Sequence, residues 1–386
     1  MLLAGGALFS AYPPLTQATE AAAATTPAPV ALVYIQTNSG VLVYNVSAAG
    51  QLTKLPGSLF ADTGQMEAVT GQYLISVGTD DLHSYKLATN GAVGAQAGEI
   101  DTQSYGGSQC GTTAGPSIVD HTGTYFVVQL AGSSSNECNA LQTYKIGSTG
   151  AFTYLGDQVS TDGYHQYAYN QDILTFSSND LFGYGIQGQT YADTFLAYKR
   201  AAAGDMVTAT AFTQTGPTPN PSIADSNYFP LNLAADNASH LAAALYTPFA
   251  ANDDIYQLGS FTINNSTGAI TSTNTYANMP TLNIYPTSLG MSWDGSMLAV
   301  GGCPNIQLYH FNGANPPTIF GPQININECF DVVAFDKSGH LFAIAPASQA
   351  LHVYNATSAG LVEAPGSPYS VSNAYGANMM IVVPKV

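Results

Sequence analysis

The chain reads as an all-β protein, a single seven-bladed β-propeller of four-stranded antiparallel blades. Three observations predict this. A short motif recurs seven times, an apolar residue followed three positions later by an aromatic: Val41-Leu-Val-Tyr44, Leu82-His-Ser-Tyr85, Leu141-Gln-Thr-Tyr144, Phe195-Leu-Ala-Tyr198, Leu258-Gly-Ser-Phe261, Ile306-Gln-Leu-Tyr309 and Leu351-His-Val-Tyr354. The aromatics lie 41 to 63 residues apart, the repeat length of a propeller blade built from short strands. Charged residues make up only 8% of the 386, while Gly (38) and Tyr (24) are abundant, a composition suited to strands and turns rather than helices.

Each copy of the motif is the third strand of a blade. An apolar second strand precedes it, at 31–36, 73–77, 125–130, 173–176, 241–246, 297–300 and 341–345. Several of these follow a turn: Asp120-His-Thr-Gly123, Asp236-Asn-Ala-Ser239, Trp293-Asp-Gly295 and Asp336-Lys-Ser-Gly339. In such turns an Asp side chain caps the backbone and Gly accepts positive φ. After the aromatic comes a second turn carrying Gly50, Gly91, Gly150, Gly204, Gly268 or Gly360, and then an outer strand such as 51–55 or 152–155.

The inner strand of each blade is expected before the Asp/Gly turn, at 66–69, 117–119, 166–169, 230–234, 287–292 and 331–335. Blade 1 has none of its own at the N-terminal end, and the C-terminal segment 379–383 is an apolar strand without a blade. The two are predicted to pair, closing the ring and removing two exposed sheet edges. Eight blades are the alternative, since 86–141 and 145–195 are long enough to hold irregular insertions.

Residues 1–30 stand apart from the propeller of 31–386. The segment 1–12 is apolar and too short to span a bilayer. It resembles the hydrophobic region of an export signal, with a small-residue cleavage stretch at 21–24 and an Ala/Thr/Pro linker after it. Four cysteines fit an exported, secreted or periplasmic protein with two disulfides. Three pairings are open, and Cys110 with Cys138 and Cys303 with Cys329 are the pairs nearest in sequence. No transmembrane segment is expected, and the protein is expected to be a monomer.

Net charge is −17, with seven Lys plus Arg in all. Nucleic acid and phosphorylated ligands are poor partners for such a chain, because neutralising phosphate needs clustered cations. The expected partner is a small molecule, a carbohydrate or a protein on one propeller face, where tyrosines offer rigid contact area at low entropic cost.

The D-x-x-G-x-Φ turns at Asp120–Gly123 and Asp336–Gly339, the Φ-x-x-Y strands, and the outer-strand ending Pro365-Gly-Ser-Pro-Tyr369, echoed at Leu55-Pro-Gly-Ser-Leu-Phe60, resemble the seven-bladed lactonase-like propellers. These are related to YVTN-repeat proteins and to cycloisomerase-type 6-phosphogluconolactonases. The resemblance covers about residues 31–386. It implies a histidine segment of the form H-P-H entering an inner strand. The nearest match is Tyr164-His165-Gln166-Tyr167, which keeps one histidine and lacks the Pro and second His. It also implies basic residues at the channel mouth for an anionic substrate. Arg200, beside Lys199 on an aromatic strand, is the single arginine, so 6-phosphogluconolactonase activity is not expected.

His165 is the candidate catalytic residue, as base on a water attacking a lactone carbonyl. Glu67, Tyr164, Tyr167, Asp331 and Asn378 are candidate ligand-binding residues, near predicted starts of inner strands or beside His165. With Glu328, the oxygen ligands among them form a set that suits Ca²⁺ in the channel. No other cofactor is expected. Asp80-Asp81 and Asp253-Asp254 read as solvated loop carboxylates, and His83, His310 and His352 as blade or surface residues. Two functions follow: a non-catalytic binding propeller or, alternatively, a hydrolase of a neutral lactone.

Overall fold

The computed structural model describes residues 28–60, 65–102, 112–113, 117–131, 139–160, 173–186, 195–209, 212–222, 227–247, 255–371 and 380–384. Every regular element among them is a strand, and the strands form seven sheets, one per blade. The eight-bladed alternative is thereby set aside. Blade 1 shows how the ring closes. Its order from rim to centre is Leu52–Lys54, Gly40–Val46, Ala31–Thr37 and then Met380–Pro384. The C-terminal strand is the innermost strand of the N-terminal blade, antiparallel to it with Ile35 opposite Met380 and Ala31 opposite Pro384.

The ring explains why second and third strands are apolar on both faces. Ala31 to Ile35 are all buried. Val33 and Ile35 pack toward Phe342, Ile344 and Val353 of blade 7, while Leu32 and Tyr34 pack toward Met66 and Leu74 of blade 2. Alternate residues of one strand thus serve two different neighbours, as the two-residue period of a strand requires. The same holds round the ring. The buried apolar residues fall into seven clusters, each lying between two adjacent blades, including Phe182 and Tyr184 with Leu241 and Phe261, and Leu298 and Val300 with Ala242 and Leu258.

The turn between third and fourth strands adds a repeated contact. In every blade it carries a glycine with positive φ, from Gly50 (78°) through Gly313 (64°) to Gly360 (113°), and each lies against the preceding blade. A Cβ at Gly91 would sit 2.4 Å from Leu32 Cδ1, and one at Gly268 2.5 Å from Phe182 Cδ1. Beside these glycines, second-strand tyrosines reach across. Tyr34 Oη donates to the Gly91 carbonyl at 2.8 Å, Tyr73 Oη to Ser148 at 2.8 Å and Tyr184 Oη to Gly268 at 2.9 Å. Burial pushes the Tyr34 phenol up to about 12.

Blade 4 departs from the predicted frame. Its innermost strand is Thr175–Phe176, which was expected as the second strand, and its second strand is Phe182–Ile186. The turn between them has no glycine. Ser177 Oγ takes the capping role, accepting from Phe182 N at 3.1 Å, and Asp180 occupies the left-handed position with φ 55°. Asp is one of the few residues that tolerate that conformation. The expected inner strand at 166–169 lies outside the described residues.

Candidate functional site

In each blade the inner strand runs from one face of the ring to the other. We call the face where inner strands begin the upper face. Turns between first and second and between third and fourth strands lie on the lower face.

The lower-face turns are structural. Asp120 Oδ1 accepts from Thr124 N (2.9 Å) and Tyr125 N (3.0 Å), and Asp336 Oδ1 from Ser338 N and His340 N, both at 2.8 Å. His240 and His340 bind the second oxygens of Asp236 and Asp336 at 2.8 and 2.6 Å. Arg200 belongs here too. Its Nε donates to Asp180 O at 2.9 Å, its Nη1 to Gly204 O at 3.2 Å, and its Nη2 lies 3.5 Å from Asp120 Oδ2. Its guanidinium stacks 4.1 Å over the Tyr125 ring. The single arginine therefore joins blades 3 and 4. The described lysines also lie away from the upper face: Lys86, Lys145 and Lys199 at the lower ends of third strands, Lys337 in a lower turn, and Lys54 on an outer strand.

The upper face has a different chemistry. An unbroken run of aromatic rings crosses it on blades 5 and 6. Phe229 begins an inner strand, Tyr246 ends a second strand, Tyr256 begins a third and Tyr285 begins the next inner strand. Their ring centroids are 5.9, 5.6 and 5.5 Å apart in that order, with Tyr246 and Tyr256 stacked at 25° and Tyr256 and Tyr285 edge to face at 82°. These are favourable aromatic geometries. Tyr285, at the end of the run, is 52% exposed. Two of the inner strands here carry a bulge just inside the mouth, between Pro230 and Asn232 and between Pro286 and Ser288. Asn232 Nδ2 donates to Thr287 O at 3.0 Å, tying the bulges together, and Thr287 Oγ1 donates to Phe330 O on the next blade. Bulges recur where a strand end must re-aim side chains toward a site.

The disulfide Cys303–Cys329 stands beside this run and links the end of a blade 6 strand to the approach to blade 7. It realises one of the two nearest-neighbour pairings. Cys110 and Cys138 lie outside the described residues. Asp331, the next residue but one after Cys329, is exposed at the start of the blade 7 inner strand, and partial desolvation raises its carboxyl pKa. Glu328 accepts from Ser348 Oγ at 2.7 Å and lies 3.6 Å from His352 Nε2.

Of the predicted site residues, Asp331 is on the upper face and Glu67 is the extra residue of a third inner-strand bulge, between Met66 and Ala68 in blade 2. The inner strand of blade 1 lies between their two strands, so they belong to different sectors of the mouth. His165, Tyr164, Tyr167 and Asn378 lie outside the described residues. The aromatic run escaped the sequence reading because its four members are spread over a span of 57 residues and meet only in the folded ring.

No protein-family model matches the sequence, and no curated protein matches it significantly. Solved structures do match the fold. The chain is similar to a periplasmic gluconolactonase of Pseudomonas aeruginosa, with TM-score 0.64 and 14% identity over 92% of this chain and all of that one. It is similar to a putative 6-phosphogluconolactonase of Bacteroides fragilis, with TM-score 0.62 and 10% identity over 94% of this chain and all of that one. A protein from Lactobacillus plantarum gives TM-score 0.63 and 13% identity over 92% of this chain and 99% of its own. At such identities the likeness is one of fold. The chain is a seven-bladed propeller whose fold resembles those of these structures.

Proposed function

We propose that this protein is an exported propeller that binds a neutral, sugar-like ligand or a protein loop of similar polarity across its upper face, without turning it over. The observation that carries this reading is the aromatic run Phe229–Tyr246–Tyr256–Tyr285 beside a mouth where no described residue is a lysine or arginine. Flat rings stack on the apolar faces of sugars, and a cation-free mouth gives no grip on a phosphate. Export is supported by the Cys303–Cys329 disulfide, since such bonds persist in oxidising compartments.

The test is calorimetric titration of the mature protein with a panel of neutral and acidic oligosaccharides and lactones. A neutral sugar should bind, and Tyr285→Ala should weaken it about tenfold, the ~1.4 kcal/mol of one lost stacking contact. Because Tyr285 is half exposed, this variant leaves the core intact. Binding that is undiminished by Tyr285→Ala, or confined to acidic ligands, would overturn the reading.

The second reading is a hydrolase of a neutral lactone, favoured by the lactonase-like fold and by the raised pKa of Asp331 at the mouth. His165 or Asp331 would then take the proton of a water attacking the lactone carbonyl. Turnover lost in His165→Ala or Asp331→Asn would establish it in place of the binding function.

A further inference from the structure

We propose that Asp81, His83 and Glu99 form a divalent metal site, for a zinc-like ion, on the upper rim of blade 2. The three residues come together by strand register. Asp81 and His83 are two apart on the third strand Asp81–Leu87 and so share one face, and Glu99 of the outer strand Val93–Asp101 is the cross-strand partner of His83. One ligand atom from each lies within 4.8 Å of the other two.

The distances favour an ion over a direct contact. His83 Nε2 is 3.5 Å from Asp81 Oδ2 and 3.9 Å from Glu99 Oε2, both too long for a strong hydrogen bond. A tetrahedral ion with bonds of about 2.1 Å holds its ligand atoms about 3.4 Å apart, so small side-chain movements suffice. Among the described residues, Nδ1 of the same ring is buried without a hydrogen-bond partner, and Nε2, aimed at the two carboxylates, is the ring's point of polar contact. Gln96 Nε2 donates to Glu99 Oε2 at 2.8 Å and orients that carboxylate.

Charge points the same way. Asp81 is paired directly across the strands with Asp101, and Asp80 adjoins it. Like charges placed opposite each other destabilise a sheet, and no described lysine or arginine lies on this face. Blade 7 provides an internal contrast. His352 holds the matching position in its Φ-H-x-Y strand and also meets two carboxylates. There they flank the ring, Glu363 at Nδ1 (3.1 Å) and Glu328 at Nε2 (3.6 Å), an arrangement that bridges a histidine and does not converge on one point. One imidazole with two carboxylates suits Zn²⁺ or Mn²⁺ and discriminates against Ca²⁺, which takes oxygen ligands.

The experiment is calorimetric and thermal-shift titration of the full chain with Zn²⁺ alone and with Ca²⁺ alone, using wild type, His83→Gln and Glu99→Gln. Wild type should take up one Zn²⁺ saturably at this site and melt higher with it, as binding to the folded state requires. Both variants should bind Zn²⁺ at least about tenfold more weakly, and Ca²⁺ should have no effect on any of them. The Glu99 side chain is 60% exposed, so Glu99→Gln keeps the test decisive even where His83→Gln fails to fold. No saturable Zn²⁺ binding, or binding of equal strength in wild type and Glu99→Gln, would overturn the proposal.

Discussion

Replacing Arg200 by Ala separates a structural arginine from a substrate-binding one. The substitution removes hydrogen bonds to Asp180 O and Gly204 O, the ion pair with Asp120 and the stacking on Tyr125. Both partners of the ion pair are buried, with side-chain exposures of 10% for Arg200 and 1% for Asp120. Breaking such a pair costs about 3–5 kcal/mol, because the remaining charge stays uncompensated. Asp120 keeps donors from Thr122, Thr124 and Tyr125, which places the loss near the lower end, about 3 kcal/mol. Unfolding entropy of ~2.1 cal/mol/K per residue gives this chain roughly 0.8 kcal/mol/K, so the melting temperature should fall by about 4 °C. Arg200→Lys should recover only part of the loss, since an ammonium cannot reproduce the forked donors. Calorimetry on the three proteins measures this. An unchanged melting temperature in Arg200→Ala, above all with weakened ligand binding, would refute the assignment of Arg200 to the blade 3–blade 4 joint.

Two further outcomes follow from the ring. Deleting residues 380–386 removes the inner strand of blade 1 and its pairing with residues 31–35. Met380 is buried, and its loss alone is worth about 2–5 kcal/mol, so the truncated chain should melt far below wild type or lose its cooperative transition; an unchanged melting curve would show that the ring does not depend on this seam. His121 Nδ1 lies 2.7 Å from Asp180 Oδ1, and this hydrogen bond, with the nearby charge and against the opposing effect of burial, raises the imidazole pKa. A raised folded-state value adds stability below the free-imidazole pKa of about 6.5 and loses it as pH rises through the folded value. The melting difference between wild type and His121→Gln should therefore be present near about pH 5.5 and close near about pH 8.5. It should be small, because the ring is half exposed, and a difference that widens with pH would contradict the assignment.

The propeller was legible because its periodicity is written in residues that need no partner to be recognised: seven Φ-x-x-aromatic strands and the Asp/Gly turns between them. The frame slipped only in blade 4, where Asp180 takes a conformation that glycine signals elsewhere, and where the inner strand ladder is two residues long. The sites were less legible. Asp81, expected as a solvated loop carboxylate, is the first residue of the third strand and shares a face with His83 by simple alternation. Their union with Glu99 depends on a register offset by two irregularities, at Ser84/Tyr85 and Tyr85/Leu87, which no local pattern encodes. The aromatic run depends on two blades meeting, a tertiary fact. Arg200 was legible as the single arginine, but its partners, Asp120 and Asp180, come from turns 80 and 20 residues away and are not encoded by its neighbours in sequence.

The bare glycines of the outer turns bear on the number of blades. A propeller blade is a wedge, and the wedge angle is fixed by how closely neighbours approach at the rim relative to the centre. In all seven blades that approach is made by a residue with no side chain, at distances a methyl group would violate in most of them. Thin rims make narrow wedges, and narrow wedges need more copies to complete a circle. Bulk added at these seven positions would fan the rim outward and favour closure with fewer blades, so ring size in this architecture is set at its periphery by what the glycines lack.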